Sequence, residues 1–161
     1  MLFTAYLRAQ PLYTQLSLSY QTLEGNLLER ADERTTEAQL EALRWALHLT
    51  RPDCILETGT NKSLFAFFLS HVLHHATLYT FDADPRSATG VELVNTAQTR
   101  VHAVFTLGDT RQTLADFHTH GIGFAWIDGG HDEPTCRSDI TVPCNSAFLS
   151  SQSTTQRRCP R

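Results

Sequence analysis

Residues 54–63 read CILETGTNKS: an apolar run of strand length ends in an acidic residue and turns through a glycine into the next segment. Three later apolar runs end in a similar way, at Asp82, Asp109 and Asp128. Between the runs lie segments of helical length, at 63–73, 85–99 and 110–117. Strands that alternate with helices are typical of βαβ units. The pattern therefore predicts an α/β fold with a mostly parallel sheet that helices cover on both faces.

The segments on either side of this region carry different patterns. Before it, apolar residues recur near helical spacing at Leu12, Leu16, Tyr20, Leu23 and Leu27. The run TEAQ at 36–39 has the form of a capping box that would begin a second helix. Residues 141–161 have no apolar periodicity, which predicts a disordered tail. We therefore divide the chain into an N-terminal helical segment (1–50), a core (51–140) and the tail (141–161).

Length and composition limit the functions that are open to the chain. Its 161 residues make one domain of ordinary size, and no apolar run is long enough to cross a membrane. The net charge of -4 argues against nucleic acid or an anionic membrane as the main partner. The four cysteines form no C-x-x-C pair, so we expect neither a zinc site nor a disulfide framework. We expect a reduced, cytoplasmic location.

The acidic residues at the strand ends are the main candidates for a site. In a parallel sheet every strand delivers its C-terminal end to the same edge, where ligands bind. Glu57, Asp82, Asp109 and Asp128 should therefore meet in one crevice. Asp82 stands where a carboxylate can accept hydrogen bonds from both hydroxyls of a ribose. The structural alternative is that each acid only complements the dipole of the helix that follows it.

Two other interpretations involve a lysine and a group of histidines. Lys62 and Ser63 match the end of a P-loop, although the residue before the lysine is not glycine, so nucleotide binding stays an alternative. His71, His74 and His75 have the spacing for metal chelation on one face of a helix. Without a further ligand nearby in the sequence, we interpret the three histidines as a solvated face.

Four motifs in order along the chain resemble those of one enzyme family. They are ETGT at 57–60, FDADP at 81–85, GDT at 108–110 and WIDGGH at 126–131. Together they resemble the motifs of class I S-adenosylmethionine-dependent methyltransferases, and most closely the small-molecule O-methyltransferase branch that carries IDGGH after its fourth strand. The resemblance covers residues 35–140. It implies a Rossmann-like three-layer sandwich, S-adenosylmethionine as cofactor, and a small-molecule hydroxyl as methyl acceptor.

The resemblance also implies a role for each motif. Glu57 and Gly59 would line the methionine end of the cofactor. Asp82 would bind the ribose hydroxyls, and Asp109 would meet the adenine. Asp128 would bind cofactor at the methyl-transfer site, where in metal-dependent members it would also help to hold a divalent cation such as Mg²⁺. Neighbouring residues predicted to contact the same cofactor are Thr60, Asn61, Ser63 and Thr110.

His131 is the candidate general base and forms, with Asp128, the predicted catalytic pair. Methyl transfer to a hydroxyl requires that the hydroxyl lose its proton, and an imidazole accepts a proton near neutral pH. The alternative is that His131 caps or packs at the head of the last helix.

The C-terminal end of the chain departs from the family. Such proteins normally continue through a helix and a PGG turn into a fifth strand, and residues 141–161 carry no such pattern. We therefore expect a truncated or frameshifted copy that lacks the family's C-terminal strands. The strand that ends at Asp128 would then become a sheet edge, which favours pairing with a second copy as a homodimer. The predicted function is O-methylation of a small molecule; the alternative is a catalytically inactive remnant that serves as a cofactor-binding or assembly module.

Overall fold

Helices and strands alternate from residue 54 onward, as the sequence predicts. The structure is a computed structural model that describes residues 2–19, 33–97, 99–119 and 121–150. The helices are α1 (Phe3–Arg8), α2 (Pro11–Leu18), α3 (Glu33–Thr50), α4 (Leu64–Val72), α5 (Ser87–Thr96), α6 (Thr110–Thr113) and α7 (Glu133–Ser150). The strands are β1 (Cys54–Thr58), β2 (Ala76–Asp82), β3 (Val101–Leu107) and β4 (Phe124–Ile127). None of these helices is both long and apolar enough to cross a membrane.

The four described strands form one parallel sheet in the order β3-β2-β1-β4. Glu57 of β1 lies opposite Thr80 of β2 on one side and opposite Trp126 of β4 on the other. Parallel pairing in this register brings the C-terminal ends of all four strands to the same edge. The prediction of an α/β fold with a parallel sheet is confirmed, and β4 is an edge strand of the described sheet.

Both faces of the sheet carry helices. Side chains alternate between the two faces along each strand, so Ile55 and Leu56 of β1 join different apolar clusters. The larger cluster includes side chains from all five helices α1 to α5. The smaller one includes Leu114 and Ile122, from the segment between β3 and β4. These layers make the predicted Rossmann-like three-layer sandwich.

The described parts of the N-terminal segment, residues 2–19 and 33–50, are mostly helical, but the capping box at 36–39 does not begin a helix. Helix α3 begins at Glu33, and Thr36 lies fully buried inside it. The carboxylate of Glu37 instead accepts hydrogen bonds from the backbone N–H groups of Phe3 (2.8 Å) and Thr4 (2.9 Å), at the free start of α1. Burial opposes ionisation of this carboxyl, but the hydrogen bonds from Thr4 and Phe3 prevail and lower the pKa of Glu37. Glu37 thus caps a different helix and ties α1 to α3.

Three further elements differ from the prediction or lie outside the described residues. In the first predicted helix, Leu12 and Leu16 belong to α2, while Tyr20, Leu23 and Leu27 lie outside the described ranges. Helix α6 ends at Thr113 and is shorter than the predicted segment 110–117. Residues 141–150 are helical rather than disordered, because α7 continues to Ser150. Nucleation is the costly step of helix formation, so a helix that has begun can extend past its apolar positions, although Pro143 has no N–H to donate. Residues 151–161 lie outside the described ranges.

Candidate functional site

The C-terminal edge of the sheet carries a cleft with a volume of about 440 Å³. The segments that follow the four strands line it, because parallel strands release the chain at this edge. Seven of the ten predicted site residues line the cleft: Gly59, Asn61, Asp82, Asp109, Thr110, Asp128 and His131. The other three are buried and outside its lining: Glu57, Thr60 and Ser63. The lining also includes Arg111 and Thr135, which the sequence analysis did not identify.

The turn between β1 and α4, residues 59–63, has an unusual backbone and is called the cofactor turn below. Gly59 has a φ of +84°, Asn61 of +48° and Ser63 of +59°. Glycine takes such angles without strain. Gly59 is needed for a second reason, since a Cβ at this position would overlap the carbonyl oxygen of Asp128. The absent side chain lets the ends of β1 and β4 touch beside the cleft.

Glu57 lies beneath the cofactor turn and does not reach the cleft. Its side chain is 1% exposed, and Thr80 Oγ1 donates a hydrogen bond to Glu57 Oε2 at 2.5 Å. The hydroxyls of Thr60 and Thr80 lie 2.6 Å apart and extend this buried chain to the turn. Burial raises the pKa of Glu57 well above its ordinary value; the Thr80 hydrogen bond opposes this, and the charges of Asp128 and Asp82 add to it. The prediction that Glu57 lines the cofactor site is therefore corrected: its side chain points to a covered face of the sheet and supports the turn from inside.

Asp82, at the end of β2, faces the cleft and also holds two loops together. Its Oδ2 accepts hydrogen bonds from Asn61 N and from Ser87 Oγ, both at 2.8 Å. Its Oδ1 accepts one from Asp84 N at 2.9 Å. A carboxylate offers about four acceptor positions, so Oδ1 keeps accepting capacity for a ligand hydroxyl. The sequence indicated that Asp82 faces the cleft but not this structural role.

Asp109 and Asp84 each bind an arginine two residues further along the chain. Arg111 Nε lies 3.0 Å from both carboxylate oxygens of Asp109, and Arg86 binds Asp84 with the same distances. The side-chain hydrogen bonds from these arginines are the main reason why the pKa values of both aspartates are lowered. Arg111 lines the cleft and Arg86 does not. The repeated D-x-R spacing after two strands is a signal that could have identified Arg111.

The loop at 128–131, Asp-Gly-Gly-His, is packed tightly between β1 and α7. The N–H of Asp128 donates to the carbonyl oxygen of Thr58 at 3.0 Å. A Cβ at Gly129 would come within 2.9 Å of Asp139 Oδ2 and 3.1 Å of Thr58 Oγ1. Asp139, on α7, is completely buried and packs against this loop. No local pattern in the sequence indicates this contact. The loop that carries Asp128 and His131 therefore has little freedom to move toward the sheet or the helix.

His131 is exposed and lies in the lining of the cleft. The capping role considered for it belongs to Asp132. Oδ1 of Asp132 accepts a hydrogen bond from Thr135 N at 3.1 Å, and its Oδ2 accepts one from Thr135 Oγ1 at 2.7 Å. These are the contacts of an N-cap at the start of α7. Asp132, and not His131, therefore caps α7, and the role of His131 as a base stays a prediction.

A metal site is not shown in the described part of the chain. In it, no three or more His, Cys, Asp or Glu residues form a group that could hold a metal ion. Mg²⁺ is usually bound by one or two carboxylates together with waters, so a divalent cation at Asp128 stays a prediction. His71 is not part of a solvated face, since its Nδ1 lies 2.9 Å from the carbonyl oxygen of Phe67 and its ring packs against Tyr6.

Lys62 and Ser63 do not face the cleft. Lys62 is 6% exposed, and its Nζ donates a hydrogen bond to the carbonyl oxygen of Ser17 at 2.9 Å. Ser63 is completely buried at the start of α4. The lysine of a P-loop must reach the phosphates of its ligand. The nucleotide-binding interpretation of Lys62-Ser63 is therefore wrong.

A parallel sheet of this order, with a cleft at its C-terminal edge, defines the Rossmann-like class of cofactor-binding proteins. A family model described as "Methyltransferase domain" matches residues 56–143, more than half of the chain, and the chain belongs to this family. The fold is also similar to that of a crystal structure described as "a putative O-methyltransferase from Klebsiella pneumoniae", with a TM-score of 0.63 and 18% identity. This likeness covers 89% of the present chain and 66% of that one. No curated protein matches the chain.

Proposed function

We propose that the cleft binds S-adenosylmethionine and that residues 51–140 carry this site. The observation that supports the proposal most is the arrangement of Gly59, Asp82, Asp109 and Asp128 around one cavity of about 440 Å³. Each comes from the end of a different strand, and cavities of this size are typical of small-molecule sites. Membership of the methyltransferase family makes S-adenosylmethionine the expected occupant.

The polar groups of the cleft suit the parts of this cofactor. Asp82 Oδ1 would accept a hydrogen bond from a ribose hydroxyl, because one of its acceptor positions is left after the contact with Asp84 N. Asp109 and Thr110 would meet the adenine. The methionine end would lie beside Gly59, where the absence of a side chain lets a ligand approach the backbone.

We propose methyl transfer to the hydroxyl of a small molecule as the reaction. The cofactor supplies a methyl group that its sulfonium already activates. The protein then has to align the acceptor oxygen and to exclude water. Asp128 lies in the lining and would orient the acceptor, while His131 would accept the hydroxyl proton at a ring nitrogen. The exposure of His131 leaves room for an acceptor molecule beside it.

Titration calorimetry with S-adenosylmethionine and with S-adenosylhomocysteine tests binding. We expect heat with the parent chain and with Asp116→Asn, since Asp116 is exposed and outside the cleft lining, and none with Asp82→Ala. No heat with the parent chain would contradict the proposal. Incubation with phenols and sugars, followed by mass spectrometry, tests turnover; a mass increase of one methyl group is the expected result.

One observation favours the alternative of an assembly module. Strand β4 is an edge of the described sheet, and Phe124–Ile127 are only half-buried. An exposed edge can add a strand from another chain, so we propose a homodimer through β4. Light scattering after gel filtration gives the oligomeric state, and a monomer would contradict the homodimer. Cofactor binding without turnover of any acceptor would favour the inactive remnant.

We also propose a small molecule, rather than nucleic acid, as the partner and a reduced cytoplasmic location for the protein. Cys54 and Cys136 are free thiols, and the net charge of the chain is -4. Free thiols persist in reducing compartments. A negative chain is repelled by phosphate backbones. Fractionation of cells that express a tagged chain tests the location, and recovery outside the cytoplasm would contradict it.

A further inference from the structure

We propose that Lys62 is a positioning residue that fixes the cofactor turn to helix α2, so that the N-terminal segment forms part of the cofactor site. This rests on the proposed function, because it concerns the same cleft. Lys62 is the only lysine in the chain. Its side chain is 6% exposed, and its Nζ bonds the carbonyl oxygen of Ser17 at 2.9 Å across 45 residues of sequence.

The cofactor turn needs external support because its own backbone conformation is strained. Asn61 and Ser63, on either side of Lys62, have φ values of +48° and +59°. Residues with a side chain rarely adopt this left-handed region, and they stay there only where surrounding contacts determine it. One such contact runs to the ligand side: the N–H of Asn61 donates to Asp82 Oδ2 at 2.8 Å. Any displacement of Lys62 would therefore also move Asn61 and disturb its bond to Asp82, and both of these residues line the cleft.

Lys62 is held on two sides. On one side, a Cβ at Gly90 would come within 2.7 Å of the Lys62 carbonyl oxygen and 2.8 Å of Ser63 Oγ, so the backbone of α5 lies directly against the turn. On the other side, the ammonium group reaches the last turn of α2, where helix carbonyls lack intrahelical partners and where a positive charge complements the helix dipole. Helix α2 is itself anchored in the core through the fully buried Leu16.

The chemistry of the ammonium group makes this contact specific. A buried cation has lost its hydration and depends on the protein for hydrogen-bond acceptors. Methionine has a side chain of similar length but no charge, so Lys62→Met would keep the packing and remove the bond to Ser17. Coupling between two sites is reciprocal. If Lys62 couples the turn to α2, a ligand that stabilises the turn must also stabilise α2.

Hydrogen exchange read by mass spectrometry, with and without S-adenosylmethionine, tests this coupling. In the parent chain the cofactor should slow exchange both at residues 82–84, in the cleft, and at residues 12–18, in α2. In Lys62→Met the slowing at 82–84 should persist and the slowing at 12–18 should disappear. Calorimetry should show a dissociation constant raised about tenfold, within the range that is typical of coupling between two sites.

Two further variants separate the coupling from a general loss of charge. Lys62→Arg keeps the positive charge and should recover part of the α2 protection. Arg100→Met removes one cation at an exposed position and should behave as the parent.

Three outcomes would overturn the proposal. The first is a parent chain that binds the cofactor and gains protection at 82–84 but none in α2, a result that does not depend on how any variant folds. The second is a Lys62→Met chain with the parent's dissociation constant and α2 protection. The third applies if the parent chain binds no cofactor. The proposed function is then wrong, and the coupling is tested by hydrogen exchange in the absence of ligand. Lys62→Met should then exchange faster at both 12–18 and 59–64, and unchanged exchange there would refute the coupling.

Discussion

Asp82 combines a structural role in the cleft with a proposed role in binding the cofactor. Its carboxylate accepts three hydrogen bonds, from Asn61 N, Asp84 N and Ser87 Oγ. Asp82→Asn changes one oxygen into an amide that donates. The remaining oxygen can keep the two bonds at the Oδ2 position, but the amide group then faces the N–H of Asp84, and that bond is lost.

The expected loss of stability follows from that single bond. A hydrogen bond to a charged acceptor contributes about 1.5–3 kcal/mol, so the free energy of unfolding should fall by about this amount. For a chain of this size each kcal/mol corresponds to roughly 2–4 °C in Tm. The Tm should therefore fall by roughly 3–12 °C. Oδ1 of Asp82, which accepts the bond from Asp84 N, is also the proposed acceptor for a ribose hydroxyl. The dissociation constant for S-adenosylmethionine should therefore rise roughly 10- to 100-fold.

Thermal melts and calorimetry on the same preparations measure the two effects separately. Asp116→Asn makes the same chemical change at an exposed position and should match the parent in both assays. If Asp82→Asn melts with the parent, Asp82 does not hold the loops. If Asp82→Asn loses stability but binds S-adenosylmethionine as the parent does, Asp82 is a structural residue and the ribose assignment is wrong.

Three other residues offer tests of the same site. Because the pKa of Glu57 is higher in the folded chain than in the unfolded chain, stability should fall as pH rises from the unfolded towards the folded pKa, by about 1.4 kcal/mol for each pKa unit between them. Urea titrations of Glu57→Gln should lack this decline, and parallel pH profiles for the two chains would contradict it. Gly59→Ala should lower the free energy of unfolding by about 2–4 kcal/mol, because the new Cβ has an unfavourable φ and overlaps the Asp128 carbonyl; a urea midpoint equal to the parent's would refute this. Arg111→Gln should weaken cofactor binding roughly two- to fivefold through loss of a cation beside the proposed position of the adenine. Arg86→Gln breaks the equivalent pair with Asp84 but removes a cation that does not line the cleft, so it should leave the dissociation constant unchanged in the same calorimetric assay. Equal effects of the two variants would argue against a ligand role for Arg111.

The sequence was sufficient to predict the strands and the edge at which they meet. Apolar runs that end in acidic residues identify buried parallel strands, and the parallel direction then brings all their C-terminal ends to one edge. The positions of Asp82, Asp109 and Asp128 in the cleft follow from backbone direction alone. The position of Glu57 could not be predicted from backbone direction. Glu57 lies one residue before the end of β1, so its side chain points to a face of the sheet instead of the edge.

Contacts between residues far apart in sequence account for the remaining differences. Glu37 caps α1 across 33 residues and Lys62 reaches α2 across 45, and neither partner can be identified from local spacing. Local patterns placed Glu37 within a capping box and left a phosphate loop at Lys62 as an alternative, since residue type and spacing were the only information available. The sequence by itself determines the order of elements and which ends carry acids, because these depend on local hydrophobicity and chain direction. The tertiary structure decides which of those side chains face the ligand, because that depends on which surfaces the packed helices have already covered.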